Sequence, residues 1–163
     1  MVLNNNIYSQ KKFFFGIVNS LDQKSSKYFN SKNFLSKKNS QFLDNYGKIY
    51  IYPIVIYSEL KFNKKQKLLL NPLILTISTT YGLKYFTKRE RPNKKNKMSF
   101  PSGHTSGSFV SACILNNYYG LNLGIPSFIL ATAVGIQRIE SNNHWLSDVI
   151  IGALIGSIYG IKK

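Results

Sequence analysis

MSFPSGHTSGSFVSACILNNYYGLNLGIPSFILATAVGIQ, residues 98–137, contains no Asp, Glu, Lys or Arg. Apolar and small residues fill it, and Asn116, Asn117, Gly120, Asn122 and Gly124 interrupt it near the middle. Gly and Asn tolerate the backbone angles that end one helix and begin another, so the stretch reads as two helices, 107–119 and 121–136, folded into a tight hairpin. Further apolar segments stand at 49–57, 68–83 and 145–161. The expected fold is therefore all-α, a helical bundle of about five core helices.

Prolines sharpen the boundaries. Asn71-Pro72 places a proline where the first turn of a helix accepts one, and Arg91-Pro92 ends the helix that carries Lys84. Residues 1–47 are rich in Asn, Lys, Ser and Gln, without a clean period, and read as a polar N-terminal arm or loosely packed lead-in. Residues 48–163 form the helical domain, and the length of 163 residues suits one core. The run from Lys11 to Val18 has the basic start and apolar body of a targeting segment, yet no small-residue cleavage site follows it. It reads as an uncleaved, interfacial helix.

The bundle is expected to be membrane-embedded or membrane-associated. Spanning takes about 20 mostly apolar residues, and each candidate here is shorter or interrupted, with 68–83 and 121–136 closest. Lysines flank both ends of 68–83, at Lys61, Lys64, Lys65 and Lys67 and again at 88–97, so they set no orientation. Lys162 and Lys163 stand at the far end of the last helix from His144, which favours a site on the outer face of the cell membrane.

Charge narrows the function. The chain holds 22 Lys plus Arg against six Asp plus Glu, a formal +16, so a polyanionic partner is implied. All the cations except Arg138, Lys162 and Lys163 lie at or before Lys97. A nucleic-acid binder would spread cations and exposed aromatics along one face, and this chain does not, so no nucleic-acid partner is expected. The single Cys113 stands among apolar residues and reads as a buried structural thiol, which excludes cysteine chemistry and an internal disulfide.

Three clusters carry the chemistry. Lys84 and Arg91 are seven apart, about two helical turns, which would put both on one helix face. Pro101-Ser102-Gly103-His104 reads as a turn opening a helix, whose free amides form an anion nest beside His104. Arg138 precedes His144 and Asp148, and the i, i+4 spacing of the last two lets the carboxylate accept a hydrogen bond from the imidazole and fix its tautomer. Each cluster alone has an ordinary reading as a basic face, a turn or a cap. Together they supply what phosphoryl transfer without a metal requires: cations for the phosphate oxygens, one histidine to attack phosphorus and another to protonate the leaving oxygen.

These residues resemble the type 2 phosphatidic acid phosphatase family, which has bacterial class A acid phosphatases and vanadium haloperoxidases as relatives. Its first motif, a Lys, six residues and Arg-Pro, matches Lys84 to Pro92. Its second, Pro-Ser-Gly-His, is Pro101-Ser102-Gly103-His104. Its third, Ser-Arg, five residues, His, three residues and Asp, matches from Arg138 through His144 to Asp148, with Gln137 in place of the serine. The resemblance covers about residues 68–160 and leaves 1–47 unexplained. It implies a phosphatase acting on a phosphomonoester or diphosphate, expected to be that of a lipid, at a membrane. His144 would form a phosphohistidine, Asp148 would orient it, His104 would be the general acid, and Lys84, Arg91, Ser102, the Gly103 amide and Arg138 would bind phosphate. No metal and no cofactor are expected. The alternatives are a soluble non-specific acid phosphatase and an inactive relative serving as a membrane interaction module.

Overall fold

A computed structural model describes residues 2–62 and 71–161, with side chains described at 15–61 and 72–161. Seven α-helices follow in chain order among them: α1 (Val2–Lys32), α2 (Lys37–Asn45), α3 (Ile51–Phe62), α4 (Asn71–Thr87), α5 (Gly103–Tyr119), α6 (Leu121–Glu140) and α7 (Leu146–Gly160), with a π-helical turn at Tyr46–Tyr50. The described residues contain no strand, so the protein is all-α. The five apolar segments are α3 to α7. Positions 68–70 of the second segment and Lys64, Lys65, Lys67, Lys162 and Lys163 lie outside the described residues.

Helix α5 is the axis of the bundle, packing against α3, α4, α6 and α7. Its Val110, Ile114 and Leu115 are buried against Ile51 and Val55 of α3, Leu73 of α4 and Val134 of α6. Burying side chains of this size contributes about 1.5–3 kcal/mol each. The hairpin forms where the sequence puts it, with Gly120 at φ 65 as the sole link between α5 and α6.

Helix α7 approaches α5 almost backbone to backbone. A Cβ built on Gly152 would lie 2.6 Å from the Ser102 carbonyl oxygen, and one on Gly156 would run into the Ser106 carbonyl. Glycine every fourth residue thus gives α7 a bare stripe, and the start of α7 is brought beside the start of α5. The Ser102 amide donates to the Asp148 carbonyl at 2.9 Å, tying the two helix starts together.

Helices α1 and α2 occupy residues 2–45, with α1 lying on α6 and α7 and α2 on α6. Polar contacts hold α1 in place. Asn30 and Ser26 bond Asn142 in the α6–α7 turn, and Asp22 is only 2% exposed. A helix docked by such contacts needs no apolar stripe, which is why its sequence shows no helical period.

One local expectation is corrected. Lys84 and Arg91 do not share a helix face, because α4 ends at Thr87 and Lys88 takes a positive φ of 44. Arg91 belongs to the loop that leads to α5. It is turned back toward the α6–α7 connection.

Large apolar side chains remain exposed on α3, α4, α6 and α7, among them Ile54, Leu60, Ile77, Tyr81, Ile129, Leu154 and Ile158. Among the described residues, no helix is long and apolar enough to cross a membrane.

Candidate active site

The α6–α7 turn presents His144, only 1% exposed. Its amide and that of Asn143 both bond the Arg138 carbonyl at 3.1 Å, folding the turn onto the end of α6. One ring nitrogen, Nε2, lies 3.1 Å from Arg91 Nη1. A guanidinium only donates, so Nε2 is the acceptor and the ring proton sits on Nδ1. That nitrogen faces Asp148 Oδ2 at 3.6 Å, an ion-pair distance slightly longer than a hydrogen bond.

Asp148 is completely buried and firmly held. Its Oδ2 accepts from Ser99 Oγ at 2.5 Å and from the Trp145 amide at 2.9 Å, and its Oδ1 accepts from Arg89 Nη1 at 2.7 Å. The Trp145 bond also caps the first turn of α7. Although burial works the other way, His144, Ser99, the Arg89 charge and the Trp145 amide hold the carboxyl below the usual aspartate range.

The start of α5 forms the opposite wall. Ser102 is the N-cap, its hydroxyl accepting from Thr105 Oγ1 at 2.9 Å rather than from an amide of the first turn. The first-turn amides of α5 therefore keep their capacity for an anion. His104 follows, with Nε2 3.5 Å from Asp44 Oδ1 of α2. Gly47 of the π-helical turn passes so near that a Cβ there would lie 3.4 Å from the His104 ring.

Three cations complete the site. Lys84 is 5% exposed, and its Nζ donates to the carbonyls of Met98 at 2.8 Å and Pro101 at 2.5 Å, so it also fastens the loop entering α5. Arg91 donates to Asn96 Oδ1 at 2.8 Å and to the Asn143 carbonyl at 2.8 Å as well as to His144. Arg138 pairs with Asp44 through Nη1, which also reaches Gln137 Oε1 at 3.2 Å. Gln137 in turn donates to Ser40 Oγ of α2 at 3.1 Å. The residue that replaces the family's serine thus braces Arg138 against α2.

Lys84, Arg91, Gly103, His104 and His144 all line one cavity of about 420 Å³. Its other wall is mostly apolar, with Tyr52, Leu73, Ile77, Tyr81 and Val110. Arg138 opens instead on a neighbouring polar cleft, beside Asp44. Ser102 and Asp148 stand behind the cavity, both fully buried.

Burial and clustered cations act on every titrating group. His144 is pushed down to about 4 by burial, with Lys84 and Arg91 adding to it and Asp148 opposing. His104 falls to about 3 through burial and Arg138, with Asp44 opposing. Burial and Arg91 lower Lys84 to about 8. Burial thus favours the neutral form of both imidazoles.

Four residues around the site were not singled out by the sequence: Asp22, Asp44, Arg89 and Ser99. The one available signal was scarcity. With six acidic residues against 22 cations, each aspartate is an uncommon residue, and Asp22, Asp44 and Asp148 all meet an arginine here.

The chain is similar to known proteins to different extents. The model of the PAP2 superfamily matches residues 67–161. The lipid A 1-phosphatase of Porphyromonas gingivalis is 38% identical over 80 residues, covering 47% of this chain and 18% of that protein. Lipid phosphate phosphatase 1 of Arabidopsis thaliana is 37% identical over 79 residues, covering 40% of this chain and 24% of its own length. These matches thus span no more than about a quarter of either relative. Among solved structures, Aquifex aeolicus LpxE superposes with a TM-score of 0.63 at 27% identity, over 86% of this chain and 92% of that one. A transmembrane PAP2 type phosphatidylglycerolphosphate phosphatase from Bacillus subtilis shares the fold, with a TM-score of 0.68 at 21% identity over 88% and 83% of the two chains. Since the family model matches more than half of the chain and encloses every motif residue from Lys84 to Asp148, the protein belongs to the PAP2 superfamily.

Proposed function

We propose that the protein is a membrane-associated phosphatase that hydrolyses a phosphate ester or diphosphate of a lipid through a phosphohistidine on His144, without a metal. The observation that carries this reading is the ring of His144, with Nδ1 toward a buried carboxylate and the Nε2 lone pair beside a cation on a cavity wall.

In this reading the phosphoryl group enters between Arg91, Lys84 and the first-turn amides of α5. An entering phosphate oxygen takes the Arg91 Nη1 hydrogen bond away from His144 Nε2 and frees that lone pair. Nε2 attacks phosphorus, the bond from phosphorus to the leaving oxygen breaks, and the charge growing on the imidazole is balanced by Asp148. The phosphate's negative charge raises the affinity of His104 for a proton, which it takes up from solvent and delivers to the leaving oxygen. Water then attacks the phosphohistidine, giving its proton to His104 and releasing inorganic phosphate and neutral His144. Positive side chains supply the charge neutralisation that a metal would otherwise provide.

Two features support a lipid leaving group. The rest of the cavity wall is mostly apolar, and the exposed apolar side chains of α3, α4, α6 and α7 suit a lipid surface better than water. The matched relatives include phosphatases named for lipid A and for lipid phosphates. The test is release of inorganic phosphate by the purified protein from phosphatidic acid, polyprenyl diphosphate and lipid A phosphate in detergent micelles, with and without EDTA. Turnover of at least one that survives EDTA is expected. No turnover of any, or loss of turnover in EDTA, overturns the proposal.

A further inference from the structure

We propose that helix α1 is a working part of the site, with Asp22 acting through Arg89 as a positioning residue that sets the charge and angle of Asp148 behind His144. The proposal rests on the reading of His144 as nucleophile.

Both oxygens of Asp22 are engaged. Oδ2 accepts from Arg89 Nη2 at 2.6 Å and from Ser147 Oγ at 2.7 Å, while Oδ1 accepts from the Ser147 amide at 2.8 Å. Arg89 Nη1 then bridges Ser147 Oγ and Asp148 Oδ1, both at 2.7 Å. The guanidinium also lies over the Trp145 ring, 5.7 Å from its centroid. A continuous chain of contacts therefore runs from α1 through Arg89 and Asp148 to the His144 ring. Further along α1, Asn30 and Ser26 grip Asn142, so this one helix holds the α6–α7 turn on both sides of His144.

Charge counting gives the arrangement a function beyond anchoring. Asp148 and Arg89 alone would be a neutral pair, leaving no net anion behind an imidazole that must become cationic during attack. Asp22 takes up the second half of the guanidinium and leaves the trio with one net negative charge. In a buried setting that residual charge acts with little screening. The other charged or titratable groups around His144 are Lys84 from α4, Arg91 from the loop before α5, His104 from α5 and Arg138 at the end of α6, and none of them belongs to the trio.

The test varies the trio's charge while keeping its shape. Asp22→Asn makes it neutral, Arg89→Gln makes it doubly negative, and the double variant returns it to one negative charge. The readouts are the His144 titration by NMR, with the chain's two histidines assigned through His104→Ala, and single-turnover phosphohistidine formation. Asp22→Asn should lower the His144 pKa and slow phosphohistidine formation about tenfold, the equivalent of one pH unit. Arg89→Gln should raise that pKa, and the double variant should return it toward the wild-type value. KM should stay within about twofold, because neither residue lines the cavity. If Asp22→Asn does not fold, Arg89→Gln decides alone, a rise supporting the proposal and no change overturning it. Shifts of the same sign in both single variants, or unchanged titration and rate, would reduce α1 to a structural anchor. A wild type that forms no phosphohistidine at His144 overturns the reading of the site and this relay with it. A normal wild-type adduct with unaffected variants overturns the relay alone.

Discussion

Arg91 Nη1 sits 3.1 Å from His144 Nε2, so the cation that would bind phosphate also occupies the lone pair that would attack it. Arrival of the substrate must exchange one bond for the other. Arg91→Ala is expected to cut turnover at least tenfold, since a charge-assisted bond contributes about 1.5–3 kcal/mol. The loop lysines Lys94, Lys95 and Lys97 are exposed and act only through a field that salt screens within about 8 Å. Their triple alanine variant should keep near-normal turnover at physiological salt, and equal losses would make the basic loop part of the binding site.

On aryl phosphates, which need no proton from His104, the pH profile follows from two groups. As a nucleophile His144 would attack only when neutral, and its pKa is lowered to about 4, so kcat/KM should hold through mild acid and fall as pH drops through about 4. As a phosphate ligand Lys84 would act only when charged, and its pKa is lowered to about 8, so kcat/KM should fall again as pH rises through about 8. A bound phosphate anion favours both cationic forms, so both limbs of kcat should lie at higher pH than those of kcat/KM. A profile flat from acid to beyond pH 9 would contradict these assignments.

The pairing of His104 with Asp44 separates leaving groups. His104→Ala should lose far more activity on alkyl phosphates, which need a proton on the departing oxygen, than on aryl phosphates, which do not. Asp44 favours the protonated form of His104, so Asp44→Asn should move its pKa further down and produce a milder version of the same selectivity. Equal losses on both ester types would remove His104 from the acid role.

The contact between α7 and α5 can be tested without changing any side chain that lines the cavity. A methyl at Gly152 would meet the Ser102 carbonyl at 2.6 Å, a backbone atom that cannot swing aside. Gly152→Ala should destabilise the fold by about 1–3 kcal/mol in thermal or denaturant melts. It should also lower kcat by separating the Ser102 turn from Asp148. Gly82, with nothing near its missing Cβ, is the control, and Gly82→Ala should be neutral or slightly stabilising.

Much of this was legible in the sequence because it is local. The uncharged run at 98–137 and its Gly120 break define α5 and α6, and fixed spacings mark His104, Arg138, His144 and Asp148. What escaped depends on distance along the chain. Asp22 meets Arg89 across 67 positions and Asp44 meets Arg138 across 94, and no period or motif links such pairs. The placement of Arg91 escapes the sequence for a related reason. Helical spacing put it on the Lys84 face, but α4 stops at Thr87 and the Lys84 ammonium binds loop carbonyls, which carries the chain round to His144.

The most direct test of the central claim is a rapid-quench experiment with radiolabelled lipid phosphate, followed by peptide mapping of the trapped protein. The account predicts one phosphoryl group, stable to alkali and labile to acid, on His144. It should be absent from His144→Ala, which should also be inactive, and should accumulate unchanged in EDTA. Turnover by His144→Ala, or a label carried on any other residue, would contradict it.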